Sequence, residues 1–309
     1  MNFNLDIETI QFILIIIFSF YLLNSSKHLR LLEMGFVIIT LSLSIYALVF
    51  LEDFARDVAV ESDAQRMYWT DPNYLGSVLI IGIIIAIYFL VNKVFDEVLI
   101  KILLFVTFIL GFITLGLLAS RGAFVALIVP IIYIFIKRIT SIWSLFAILI
   151  IGCGLIFLIL YTDVFSALIY RFSDETISSG SERTDIWRNS FNLFFNKDFF
   201  TVFFGGGTNY ALKLCGIAVG LGDEKFSPHN NYLQILYDYG IVGFVTFIVF
   251  FIRLIIINKK RVLAIALILS FLITCFTLVP LMYLPFWMLI LLVMSYNYFP
   301  EEEQSYIDK

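Results

Sequence analysis

The sequence is poor in most of what a water-soluble enzyme displays. Only 14% of its 309 residues are charged and only two are histidine, where an ordinary soluble domain is roughly 25% charged. The three cysteines, Cys153, Cys215 and Cys275, show neither Cys-x-x-Cys spacing nor a neighbouring histidine. That sets aside a structural zinc site and a disulfide scaffold. There is no excess of Lys and Arg either. The net charge is −4, so the chain has no electrostatic footprint for nucleic acid. No basic stretch precedes the first apolar run and no small-residue cleavage site follows it, so that run reads as a retained membrane helix. Internal repeats and low-complexity tracts are missing as well.

What is abundant is apolar surface. The chain is 61% hydrophobic with a mean hydropathy of +0.99, more than a soluble core can bury. At about 20 apolar residues per spanning helix, the expected fold is an all-α integral membrane protein. It is a polytopic bundle of about nine transmembrane helices with one large extracytoplasmic loop. The apolar runs lie at 8–23, 34–51, 74–91, 98–118, 122–136, 142–161, 240–257, 262–279 and 284–299. Lys27, Arg30, Lys93, Lys101, Lys137, Arg138, Lys259, Lys260 and Arg261 fall in alternate loops, and only Arg56, Arg66 and Arg121 in the others. By the positive-inside rule the N-terminus is outside and the C-terminus cytoplasmic. Four segments follow: spans one to six (1–161), an extracytoplasmic helical loop (162–228), a helix from the outer face with spans seven to nine (229–299), and a cytoplasmic tail (300–309).

Within the loop, 163–172 reads as an amphipathic interfacial helix. Ser179-x-x-Glu182 has capping-box spacing and opens a helix with Arg183, Trp187, Phe191 and Phe194 or Phe195 on one face. Gly205-Gly206-Gly207 marks a turn. Ser227-Pro228 reads as an N-cap and first-turn proline of a helix running from His229.

Three residues invite a chemical reading, each beside a plainer one. His229, at a helix N-terminus that disfavours imidazolium, suits a proton acceptor; the plainer role is capping an interfacial helix. Arg121, in Ser120-Arg121-Gly122 between two apolar runs, is a costly charge at the membrane edge that either binds an anion or snorkels to lipid phosphate. Arg183 offers a planar fork for phosphate oxygens, or forms a surface ion pair with Glu182 or Asp185. Arg171 and Arg188 are weaker versions of the same idea. Asp71-Pro72-Asn73 is explained as an N-cap followed by proline, and the glycine turn lacks the Gly-Lys-Ser/Thr of a nucleotide loop.

Together these residues resemble the bacterial O-antigen polymerase and O-antigen ligase family. The resemblance rests on Ser120-Arg121-Gly122-Ala123, Ser181-Glu182-Arg183 with Trp187, Phe204-Gly205-Gly206-Gly207, and His229-Asn230-x-Tyr232-Leu233 with Leu236, Gly240 and Gly243. It covers roughly 71–261. Asp71-Pro72-Asn73 also resembles a segment of capsule and other surface-polysaccharide polymerases. The resemblance implies a metal-independent, cofactor-free, inverting glycosyltransferase of the bacterial cytoplasmic membrane, acting at its outer face on polyprenyl-diphosphate-linked glycans. It assigns donor diphosphate binding to Arg121 and Arg183 and the catalytic histidine to His229; Arg171, Arg188 and Asn230 are secondary candidates beside them. The partners it implies are a lipid-linked oligosaccharide donor and acceptor, membrane lipids, a chain-length regulator and a flippase. A polymerase is the first expectation and a ligase the second. A flippase or transporter is a third, disfavoured because the chain lacks similar halves and mid-membrane helix breaks.

Overall fold

The computed structural model describes residues 25–50, 55–57, 65–67, 71–138, 163–172, 183–222 and 224–299, with 13, 14 and 17 besides. The expected first and sixth spans, and the capping box at 179–182, lie outside those residues, the three isolated positions excepted. The rest is an all-α membrane protein. Its helices are α1 (Ser26–Val49), α2 (Pro72–Asn92), α3 (Val98–Leu118), α4 (Arg121–Arg138), α5 (Ser166–Arg171), α6 (Arg183–Phe195), α7 (Phe199–Phe204), α8 (Tyr210–Ala218), α9 (Asn231–Ile257), α10 (Val262–Thr274) and α11 (Leu284–Ser295). Between α1 and α2, a three-residue antiparallel ladder pairs Ala55–Asp57 with Gln65–Met67, Arg56 opposite Arg66. Among the described residues, four helices are long and apolar enough to cross a membrane: α1 from Lys27, α2, α3 and α9. α10 and α11 are shorter apolar helices.

α2 is apolar all round, as a helix enclosed by others must be, and Leu79 to Ala86 are buried without exception. α1, α3 and α4 pack around it, and α10 lies against α4 and α2. The Thr40 hydroxyl of α1 donates to the Leu79 carbonyl of α2 at 3.2 Å, a polar contact between helices inside the apolar layer. α3, by contrast, leaves Leu99, Ile102 and Phe105 more than half exposed. That surface needs lipid.

The loop region forms a second, smaller core in which Ile186, Phe194, Ala211, Leu214 and Cys215 close on Leu236 and Tyr237 of α9. Two expectations change here. The buried face of α6 is Ile186, Ser190 and Phe194, not the stripe through Phe191, because Ser190 shares a 3.1 Å hydrogen bond with the buried Tyr237 hydroxyl. α9 begins at Asn231, two residues after His229. The 163–172 segment is a 3-10 turn followed by α5, and Phe165 is buried against the Phe112 ring at 5.2 Å.

The turn at 205–207 interlocks with a break in α9. Gly240 is non-helical, with φ 68° and ψ −169°, and Gly205 has φ 85°. A Cβ on Gly205 would overlap the Asp238 carbonyl, and one on Gly240 would overlap the backbone of Phe203. The Gly206 and Gly207 N–H groups donate to the carbonyls of Tyr237 and Asp238, both at 3.0 Å. Asp238, buried, accepts from Ala211 N at 2.7 Å and from Gln234 Nε2 at 2.8 Å, fastening the start of α8 to α9.

Candidate active site at one end of the bundle

Short connections make the helices antiparallel, so the ends of α3 and α10 meet the starts of α2, α4 and α9. Asp71 caps α2 by accepting from Asn73 N at 2.9 Å, with Pro72 in the first turn, as its sequence implied. Ala119, at φ 47°, turns the chain from α3 to α4. The Ser120 hydroxyl donates to Asn73 Oδ1 at 2.9 Å, joining the heads of α2 and α4. Arg121 is the first residue of α4 and half-buried. Its neighbour Gly122 lies against Thr277, so closely that a Cβ would overlap the Thr277 side chain.

Thr277 is also where Arg183 arrives, its Nη1 making a long 3.5 Å contact to the Thr277 carbonyl. Asp185 is engaged by Arg188 at 2.7 Å in an ion pair exposed by about 70% on both sides, so the surface-pair reading applies to Arg188. Arg171 is the last residue of α5. The head of α9 joins the same segment through Asn231 N, which donates to the Cys275 carbonyl at 2.8 Å. The starts of α2, α4, α6 and α9 therefore gather around 274–283. Each points the positive end of its dipole there.

His229 stands just outside α9 in the left-handed region, at φ 46°, a strained conformation for a non-glycine residue. Its N–H donates to Ser227 Oγ at 3.1 Å. Trp187 Nε1 donates to the Pro228 carbonyl at 2.8 Å, so α6 holds this loop directly. Burial and then the Arg183 charge push the imidazole below its ordinary pKa, and Asp71 acts in the opposite sense. The structure thus brings His229, Arg183 and Asp71 within electrostatic reach. Arg121 heads α4 next to Gly122, the residue of that helix that lies against Thr277. Asn230 is accounted for as the α9 N-cap, accepting from Tyr232 N at 3.0 Å and Leu233 N at 3.2 Å.

Several neighbours escaped the sequence reading. The Tyr74 and Tyr283 rings pack with centroids 4.3 Å apart, tilted by 34°, beside Asp71; burial, with the Asp71 charge second, pushes the Tyr283 hydroxyl up. The fully buried Asn231 carboxamide has no hydrogen-bond partner among the described residues. A buried amide with unmet donors and acceptor at the head of α9 is the kind of group that takes a substrate hydroxyl or a water. Asn231 lay in the His-Asn-Asn-Tyr run, but nothing in a sequence separates a capping asparagine from an uncapped one.

Residues 106–248 match the family model described as O-antigen ligase. The segment begins within α3 and ends within α9. It takes in Arg121, Arg183, the 205–207 turn, His229 and Gly240, and leaves out Asp71, Thr277 and Tyr283. The resemblance seen in the motifs is thereby shown over that stretch. No curated protein matches the chain.

Proposed function

We propose that this chain is a membrane glycosyltransferase that polymerises surface polysaccharide from polyprenyl-diphosphate-linked repeat units at the outer face of the bacterial cytoplasmic membrane. The observation that carries the reading is the gathering of Arg183, His229, Asp71 and the head of α4 around 274–283. A diphosphate needs permanent, geometrically fixed positive charge, and guanidinium supplies it; the helix starts add partial charge of the same sign. A metal is not required for that role.

In the proposed reaction an acceptor sugar hydroxyl attacks the anomeric carbon of the lipid-linked glycan. The new glycosidic C–O bond forms as the bond to the diphosphate oxygen breaks, with inversion. The polyprenyl diphosphate departs with the electron pair, its developing charge stabilised by Arg121 and Arg183. The hydroxyl proton passes to His229, which burial and Arg183 keep neutral and receptive. The basic residues collect at the opposite ends of the helices, which supports placing this site outside.

A ligase that hands the same donor to a lipid, cell-wall or protein acceptor is the second reading, favoured by the description of the matched family. Deletion of the gene and analysis of lipid-linked glycan separates the two. Accumulated single repeat units support a polymerase, and accumulated full-length chains a ligase. Unchanged glycan in both pools would overturn the transferase reading.

A further inference from the structure

α6 and α7 carry an aromatic surface that neither the catalytic reading nor the small core uses. On α7, Phe199 is 63%, Phe200 72% and Phe204 60% exposed, although a phenylalanine gains about 1.5–3 kcal/mol from burial. Phe199 and Phe203 stack at 4.3 Å, and Phe191 and Phe195 of α6 pair at 4.6 Å while remaining exposed. This is a patch rather than scattered residues, and such patches mark contact surfaces.

Its continuity indicates what covers it. α7 ends in the glycine turn that interlocks with the break at Gly240, and Tyr239 at that junction is exposed. Beyond the break, Val242, Val245, Val249, Ile252 and Ile256 run down α9 as an exposed apolar stripe. On a membrane-spanning helix this is the lipid-facing side. The phenylalanines extend that stripe upward. At the other end of α7 the character changes to Asn196, Lys197 and Asp198, all exposed. Asp198 caps the helix by accepting from Thr201 N at 3.1 Å and from the Thr201 hydroxyl at 2.7 Å. Six helical residues measure about 9 Å at ~1.5 Å each, too short to cross a membrane but compatible with an apolar face sunk at the interface.

We propose that α7 is a membrane-inserted wedge: its phenylalanines lie among the acyl chains of the leaflet on the site side, with Lys197 and Asp198 at headgroup level. The loop region is then anchored in the bilayer, and α6, which holds Arg183, is pinned beside it. This inference rests on the membrane fold and the exposed surface, not on the chemistry proposed above, so it can fail or stand independently.

The test is collisional accessibility. Phe200→Cys is made in the full chain with Cys153, Cys215 and Cys275 replaced by alanine, labelled with a nitroxide and reconstituted in phosphatidylcholine vesicles. Ile252→Cys serves as the lipid reference and Lys225→Cys, on an exposed loop residue, as the water reference. The expected result is oxygen accessibility at the Ile252 level with loss of accessibility to a water-soluble nickel chelate. Nickel accessibility at the Lys225 level would place α7 in water and overturn the proposal. Low accessibility to both would place it against protein, a second copy or a partner, and equally overturn it. If the cysteine-free chain does not fold, a photoreactive benzoyl-phenylalanine at position 200 in the unaltered chain asks the same question. Capture of phospholipid supports the wedge; capture of protein, or of neither, refutes it.

Discussion

Arg183 and Asp71 act on His229 with opposite signs, and the chain allows each to be weighed separately. His28 is the only other histidine, so in a His28→Gln background the pH dependence of ethoxyformylation reads His229 alone. The neutral imidazole is the reactive form, so the midpoint should fall below the ordinary histidine value. Arg183→Gln removes a positive charge that lowers the pKa and should move the midpoint up; Asp71→Asn removes a negative charge that raises it and should move the midpoint down. A midpoint in the unaltered protein at or above the ordinary value would refute the assigned electrostatics. If His229 is the proton acceptor, activity should survive to lower pH than an ordinary histidine permits and be lost below that midpoint. Arg183→Lys keeps the charge but loses the fork, so glycosyl transfer should drop by roughly 10²–10³-fold, the range for losing one transition-state donor. Near-normal polymer at normal expression would remove Arg183 from the site. Arg188→Ala should change stability by less than about 1 kcal/mol, as exposed pairs do.

The elements make predictions of a different kind, because backbone rather than side chain fixes the 205–207 turn on α9. Gly205→Ala and Gly240→Ala each combine a disfavoured positive φ with overlap against backbone. Left-handed strain of ~1–2 kcal/mol and overpacking of ~1–3 kcal/mol together amount to about 2–5 kcal/mol. Gly207, at φ 89° with open space around its Cβ, should show only the first part when changed to alanine. Thermal unfolding in detergent gives the ranking, and equal losses at all three glycines would contradict the interlock. Asn230→Ala should cost about 1 kcal/mol for the lost cap, whereas Asn230→Asp should restore both stability and activity.

The same elements show what the sequence allowed to be read. Four of the nine expected spans, the Asp71 cap and the glycine turn were legible because apolar length, capping chemistry and φ freedom are local. The start of α9 was not, since Pro228 ordinarily opens a helix and here precedes a residue with positive φ. The buried face of α6 was hidden because Ser190 is polar and is buried only by virtue of Tyr237, 47 positions away. Asp238 was overlooked because its partner Ala211 lies 27 residues away. The approach of Arg183 to His229, and of the head of α4 to Thr277, depends wholly on such distant contacts.

At the scale of the whole molecule, the end opposite the site is tied together. Arg30 pairs with Glu33 at 3.1 Å and lies 4.6 Å over the Phe89 ring. The Tyr296 hydroxyl donates to Glu33, and Arg261 Nη2 donates to the Phe299 carbonyl at 2.7 Å. On the proposed orientation, which makes that end cytoplasmic, an impermeant thiol reagent outside cells should label Lys225→Cys and not Lys260→Cys. The native Cys215 interferes little, because it is buried and its thiol is pushed up to about 11. The reverse labelling would invert the topology and the proposed location of the site.

The short helices have a consequence for the membrane itself. α10, with 13 residues, is only about 20 Å long at ~1.5 Å per residue, and α9 below its break at Gly240 spans 241–257, about 25 Å. Each is shorter than a hydrocarbon core of about 30 Å, so, although α9 as a whole is long enough to cross, a bilayer that thins along this flank would seat the stretch below the break. Such thinning lowers the headgroups toward the helix starts, and a lipid-borne phosphate meets fixed positive charge without its chain being drawn out of the bilayer. We therefore expect transfer rates in reconstituted vesicles to fall as acyl chains lengthen from fourteen to twenty carbons, roughly in step with a mismatch penalty of a fraction of a kcal/mol per ångström. Rates indifferent to chain length would mean that the protein adjusts to the bilayer rather than the bilayer to the protein.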